Sequence, residues 1–174
     1  MKVRSNKGFT LIELLIVVAI IGIIAAIAIP GLLAARRAGN EASAIGSMRA
    51  ISSGEATYAS GCGNGFYAVT LADLGKSGGG TGAFISNDLI TSAPPAQKSG
   101  YNVALVAFGA TSTLTNCNGA ASTPTAGFTG NADPITTTTG TRHFGVTEGA
   151  TIYQSTAAVT FDASHNVSVG VPIQ

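Results

Sequence analysis

Lys7-Gly8-Phe9-Thr10-Leu11-Ile12-Glu13 leads into a long apolar run, and the two together decide the fold. From Leu14 to Ile29 no side chain is charged, and from Phe9 to Ile29 Glu13 is the only ionisable group in 21 residues. Coiled as an α-helix, such a run is about 30 Å long, the thickness of a bilayer hydrocarbon core. A carboxylate inside it is costly in lipid and marks a functional position by default. Upstream lie Lys2, Arg4 and Lys7 with no acid among them. Such a basic flank holds an N-terminus in the cytoplasm.

The order is a short basic leader, Gly8, Phe9, Glu13 and a long apolar helix. It resembles the type IV prepilin signal, also called the prepilin-type cleavage and methylation motif. The resemblance implies that a prepilin peptidase in the membrane cuts between Gly8 and Phe9 and N-methylates Phe9. Glu13 then falls on the family's glutamate, where it sets subunit register during assembly. Gly22 and Pro30 fall where many family helices carry a glycine and a proline. The match covers residues 7 to 30 and thins to general architecture further along.

Other readings use the same residues. A secretory signal peptide, with Ala26-Ile27-Ala28 as its cleavage site, would release a soluble binding domain. A plain single-pass anchor would tether one. Glu13 interrupts the apolar region and Pro30 sits just past the Ala28 cut, which argues against the first. Neither accounts for Gly8-Phe9 and Glu13 together.

Lys plus Arg number 9 and Asp plus Glu 8 across 174 residues. Removing the leader leaves a slightly acidic chain with room for one modest globular domain. Beyond residue 50 the only Lys or Arg residues are Lys76, Lys98 and Arg142. No basic patch argues for nucleic acid. Cys62 and Cys117 both lie outside the apolar run. An even pair in an exported domain reads as a disulfide, with metal binding as the weaker alternative.

The expected organisation is a leader over 1–8, a membrane or filament-core helix over 9–30, an amphipathic continuation over 31–60 and a head over 61–174. Pro30 lacks a backbone donor and Gly22 is soft, so a kink or local unwinding is expected there. Gly31, Gly39, Gly46 and Gly54 recur about every two turns, facing either the chain's own sheet or another helix. Gly61 to Gly65 ends the helix. A short helix is expected at Thr70–Leu74, a flexible loop at Gly78–Gly80 and a boundary at Pro94-Pro95. Strands are expected at Tyr101–Phe108, His143–Val146, Thr151–Gln154, Ala158–Asp162 and Val167–Val171. Thr111 to Thr141 holds 13 Ser or Thr among 31 residues and reads as an exposed excursion pinned by Cys117. The fold class is α+β: a long hydrophobic helix kinked near Pro30, packed by its distal half on four or five antiparallel strands. This is the lollipop of the resembled family.

No catalytic constellation stands out, and no cofactor or metal is expected. His143 and His165 are single and read as surface or turn residues, and the scattered acids form no ligand set. The expected function is a structural filament subunit, not an enzyme. The resemblance implies an inner-membrane precursor, an assembly platform and ATPase as partners, and a homopolymeric surface fibre. A pseudopilin of a type II secretion system is the alternative within the same class.

Overall fold

A computed structural model describes residues 8–78, 82–90, 95–162 and 164–173. Most of the leader, Gly79-Gly80 and Pro94 lie outside the described residues. The described chain divides into two compact units, with the boundary after Arg36.

Helix α1 runs from Leu11 to Gly61 and crosses that boundary. In the first unit it is apolar on every side and is not buried by any of the described residues. An all-round apolar helix needs an environment other than water. The backbone stays helical through Gly22 and Pro30, so neither position is unwound. Pro30 removes one amide donor, but the helical turns on either side persist.

In the second unit α1 becomes amphipathic. Ala44, Ser47, Met48, Ile51, Glu55 and Tyr58 are buried at spacings of three or four residues, one helical stripe. Beyond Gly61 come the short helix α2 (Leu71–Leu74), capped by the Thr70 side chain, and a 3₁₀ turn at Asn87–Leu89. The strands are β1 (Ala96–Lys98), β2 (Tyr101–Thr111), β3 (Thr125–Pro134), β4 (His143–Thr147), β5 (Ile152–Ser155), β6 (Thr160–Phe161), β7 (Val167–Val169) and β8 (Val171–Pro172). They form a six-stranded antiparallel sheet in the order β1-β2-β3-β4-β5-β8 and a separate β6–β7 pair. Tyr101, Val103, Phe128, Ala132, Phe144, Val146 and Ile152 join Met48, Ile51 and Tyr58 in one core.

The sheet corrects two expectations. It has six strands where four or five were expected. The supposed excursion over 111–141 contains β3, which lies between β2 and β4. Its inward positions are Phe128, Gly130 and Ala132, so its burial is carried mostly by small residues. A Cβ on Gly130 would lie 3.0 Å from Val146 Cγ1, 3.7 Å from Ile51 Cγ2 and 3.8 Å from Met48 Sδ. The helix passes close over β3, and a bulky residue there would push it away. A hydrophobicity count therefore misreads this strand as loop.

The segment expected as one strand over Val167–Val171 is two. Gly170, at φ +150°, breaks it, so that β7 pairs with β6 and β8 with β5. This places the segment around β6–β7 over the outer face of the sheet. Val159 is buried there, and a Cβ on Gly145 would come within 2.7 Å of its Cγ1. His165 in the β6–β7 turn stacks on Phe108 of β2. The glycine stripe on α1 divides as well. Gly54 abuts Ile85 and Phe84 of the chain's own head, while among the described residues nothing lies within 4 Å of a Cβ placed on Gly31, Gly39 or Gly46.

Candidate assembly site

Gly8 and Phe9 precede α1, and Phe9 is exposed. Among the described residues nothing lies within 4 Å of a Cβ placed on Gly8, so their packing does not require glycine at that position.

The first turn is closed by a reciprocal pair. Thr10 donates its N–H to Glu13 Oε2 at 2.9 Å and its hydroxyl to the same oxygen at 2.5 Å. Glu13 returns its N–H to Thr10 Oγ1 at 3.3 Å. This is a capping box, in which the two side chains satisfy amide groups that a helix start leaves without partners. The acid also sits at the positive end of the helix dipole. Sequence reasoning singled out Glu13 and missed Thr10. The signal was readable, since Thr10-Leu11-Ile12-Glu13 fits the T-x-x-E pattern ahead of an apolar run.

Between Phe9 and Leu33 the large apolar side chains are exposed among the described residues, Leu11 at 78% and Ile27 at 76%. Gly22 has open space around it, and Pro30 is helical. Glu13 belongs to the first unit and the cysteines to the second.

In the second unit three connections secure α1. The first is Glu41, 6% exposed, which accepts Thr141 N–H at 3.0 Å and the Arg142 guanidinium through Nε at 2.7 Å and Nη2 at 2.6 Å. Burial pushes the Glu41 carboxyl up, but Thr141 N–H and Arg142 outweigh it and hold the group below its usual range. Arg142 also donates to Gln154 Oε1 at 2.7 Å, and its backbone carbonyl accepts the Tyr101 hydroxyl at 2.9 Å. The second is Glu55, wholly buried, whose Oε2 accepts Ala68 N–H at 2.8 Å while Oε1 has no hydrogen-bond partner among the described residues. Burial first, then the negative charge of Asp73, push its carboxyl up to about 8 against the Ala68 bond. The third is the disulfide between Cys62 and Cys117, with a Cα–Cα distance of 4.8 Å. It ties the exit of α1 to the irregular segment before β3. A Cβ on Gly78 would strike Cys117 Sγ, so glycine lets the backbone at that position lie against the bond.

His143 and His165 are not brought together with a ligand set. His143 Nδ1 lies 2.6 Å from Asp133 Oδ1 on the outer face of the sheet, and His165 is the stacked turn residue. Among the described residues no three His, Cys, Asp or Glu side chains are grouped to hold a metal ion.

Residues 3–29 match the family model of the prokaryotic N-terminal methylation motif. The chain bears that motif. Its curated relatives agree over the same N-terminal region. The type IV wide pilus major component PilA4 of Thermus thermophilus is 68% identical over 38 residues, 22% of this chain and 29% of that protein. A fimbrial protein of Pseudomonas aeruginosa is 82% identical over 27 residues, 16% of this chain and 18% of that one. The chain therefore spans less than a third of the length of these relatives. No solved structure matches it. Gly8, Phe9 and Glu13 all fall within the matched span, and the head lies outside it.

Proposed function

We propose that the chain is a structural subunit of a type IV pilus, stored in the inner membrane and assembled into a surface fibre. In this reading residues 1–8 are a leader. A prepilin peptidase cuts after Gly8 and methylates the new amine of Phe9. The helix over 9–30 serves twice, first as a membrane span and then as part of the fibre core, while the head stays outside.

The observation that carries the reading is the methylation motif at the start of a helix that is apolar on every side and unburied among the described residues. Such a helix suits lipid and a core of like helices almost equally, so moving from one to the other gains little hydrophobic free energy. Register must then come from polar groups, and Glu13 is the carboxylate available within the apolar stretch. An assembly platform and its ATPase would drive the transfer.

Shearing the surface of producing cells tests this. The chain should be recovered in filaments visible by electron microscopy, and deleting its gene should remove them. Recovery solely as a membrane protein or as a soluble secreted monomer would overturn the reading.

A further inference from the structure

Most charges of the head pair within the chain. Asp88 meets Lys98 at 2.6 Å, Glu41 meets Arg142 at 2.6 Å, Asp133 meets His143 at 2.6 Å and Lys76 lies 4.0 Å from Asp73. Glu55 is buried, and Asp162 accepts the N–H groups of Ser164 and Asn166. Glu148 is different. It is exposed in the β4–β5 turn and has no hydrogen bond or ion pair among the described residues. It helps line a cleft of about 400 Å³ with Thr147, Tyr153, His165, Asn166 and Val167. That volume exceeds a single side chain, and no Lys or Arg lines it.

Arg49 is the matching excess of positive charge. It projects from the face of α1 turned away from the sheet, beside exposed Ala42, Gly46 and Ser53. Nothing lies within 4 Å of a Cβ placed on Gly46. Arg49 is itself exposed and has no partner among the described residues. Arg36 and Arg37 also have no ion-pair partner among the described residues, but Arg37 is partly covered, with its Nε buried, and Arg36 belongs to the first unit.

We propose that the cleft at Glu148 receives Arg49 of a second copy of this chain, so that the head of one subunit docks on the helix of another. The inference rests on the filament reading. A guanidinium can take the carboxylate bidentately and lie against the rings of Tyr153 and His165. An ion pair in open solvent contributes little, but one enclosed between subunits fixes orientation and rejects misaligned partners.

Charge exchange in the full chain tests the contact. Both residues are exposed, so the variants should fold, which a normal membrane pool with an intact Cys62–Cys117 bond would verify. Glu148→Arg and Arg49→Glu should each lower sheared fibre yield about tenfold or more, because like charges then face each other. The double variant should restore the yield to within about twofold of the parent, as coupled positions do in a double-mutant cycle. Normal fibres from either single variant would overturn the contact alone. Loss in both singles without rescue in the double would also overturn it. A parent chain that forms no fibres would overturn the filament reading, and the contact with it.

Discussion

Cells expressing Glu13→Ala should hold the variant in the membrane, cleave it after Gly8, and leave it out of fibres. Two roles of the acid predict different outcomes. As part of the capping box it satisfies Thr10 N–H, and alanine abolishes that bond. As an intersubunit partner it would meet the amine of Phe9 on a neighbour in a water-poor core, where removing one member of an ion pair strands the other. Glu13→Gln separates them, because glutamine can still close a capping box but carries no charge. Both variants should insert at least as well as the parent, since an ionisable group has left the apolar stretch. Co-expressed with the parent, both should be depleted from sheared fibres by about a hundredfold or more relative to the membrane pool. Glutamine assembling normally while alanine fails would reduce Glu13 to a helix cap. Equal incorporation of both would refute the pairing.

The second large effect is a fall in head stability as pH rises. Glu55 is wholly buried, with one backbone donor and one oxygen without a partner, and its carboxyl is pushed up to about 8 from an ordinary 4.5. Asp73 is the charged neighbour that adds to the shift, and the Tyr58 phenol is raised in turn by burial and by both acids. Below pH 4.5 the group is protonated in folded and unfolded chains alike and contributes no slope. Between 4.5 and 8 the unfolded chain releases the proton while the folded head keeps it. Stability therefore falls with pH at up to about 1.4 kcal/mol per unit, several kcal/mol across the window, and levels off above 8. The Glu55→Gln head keeps an acceptor for Ala68 N–H and has no proton to lose. Its denaturant midpoint should vary much less over that range. Parallel pH profiles for the two heads would show that Glu55 is not the group responsible.

The parts of the molecule differ in how plainly the sequence announces them. The apolar helix is legible because lipid and a fibre core both demand an unbroken run, which composition records directly. The buried stripe from Ala44 to Tyr58 is legible because its spacing is helical. The disulfide follows from cysteine number and exported context. β3 was hidden because close helix packing at Gly130 replaces bulk with glycine and alanine. Its threonines, good strand formers, looked like loop. The pairing switch at Gly170 depends on one backbone angle that no periodicity encodes. Around Glu13 the failure was of another kind. The acid stands out as a lone charge in an apolar run, whereas its partner Thr10, three residues away, is an ordinary polar residue that only the T-x-x-E spacing marks. The clamp of Glu41 on Arg142 joins residues 101 apart in sequence, and no local pattern links them.

The central claim is that the apolar helix begins at a processed, methylated phenylalanine. Intact mass and N-terminal sequencing of protein purified from its native host test it most directly. The expected result is a chain starting at Phe9, heavier by one CH2 for the N-methyl group that replaces an amine hydrogen, with two hydrogens missing for the Cys62–Cys117 bond. A mature terminus at Ile29, after Ala26-Ile27-Ala28, would contradict it and make the apolar run a discarded secretion signal.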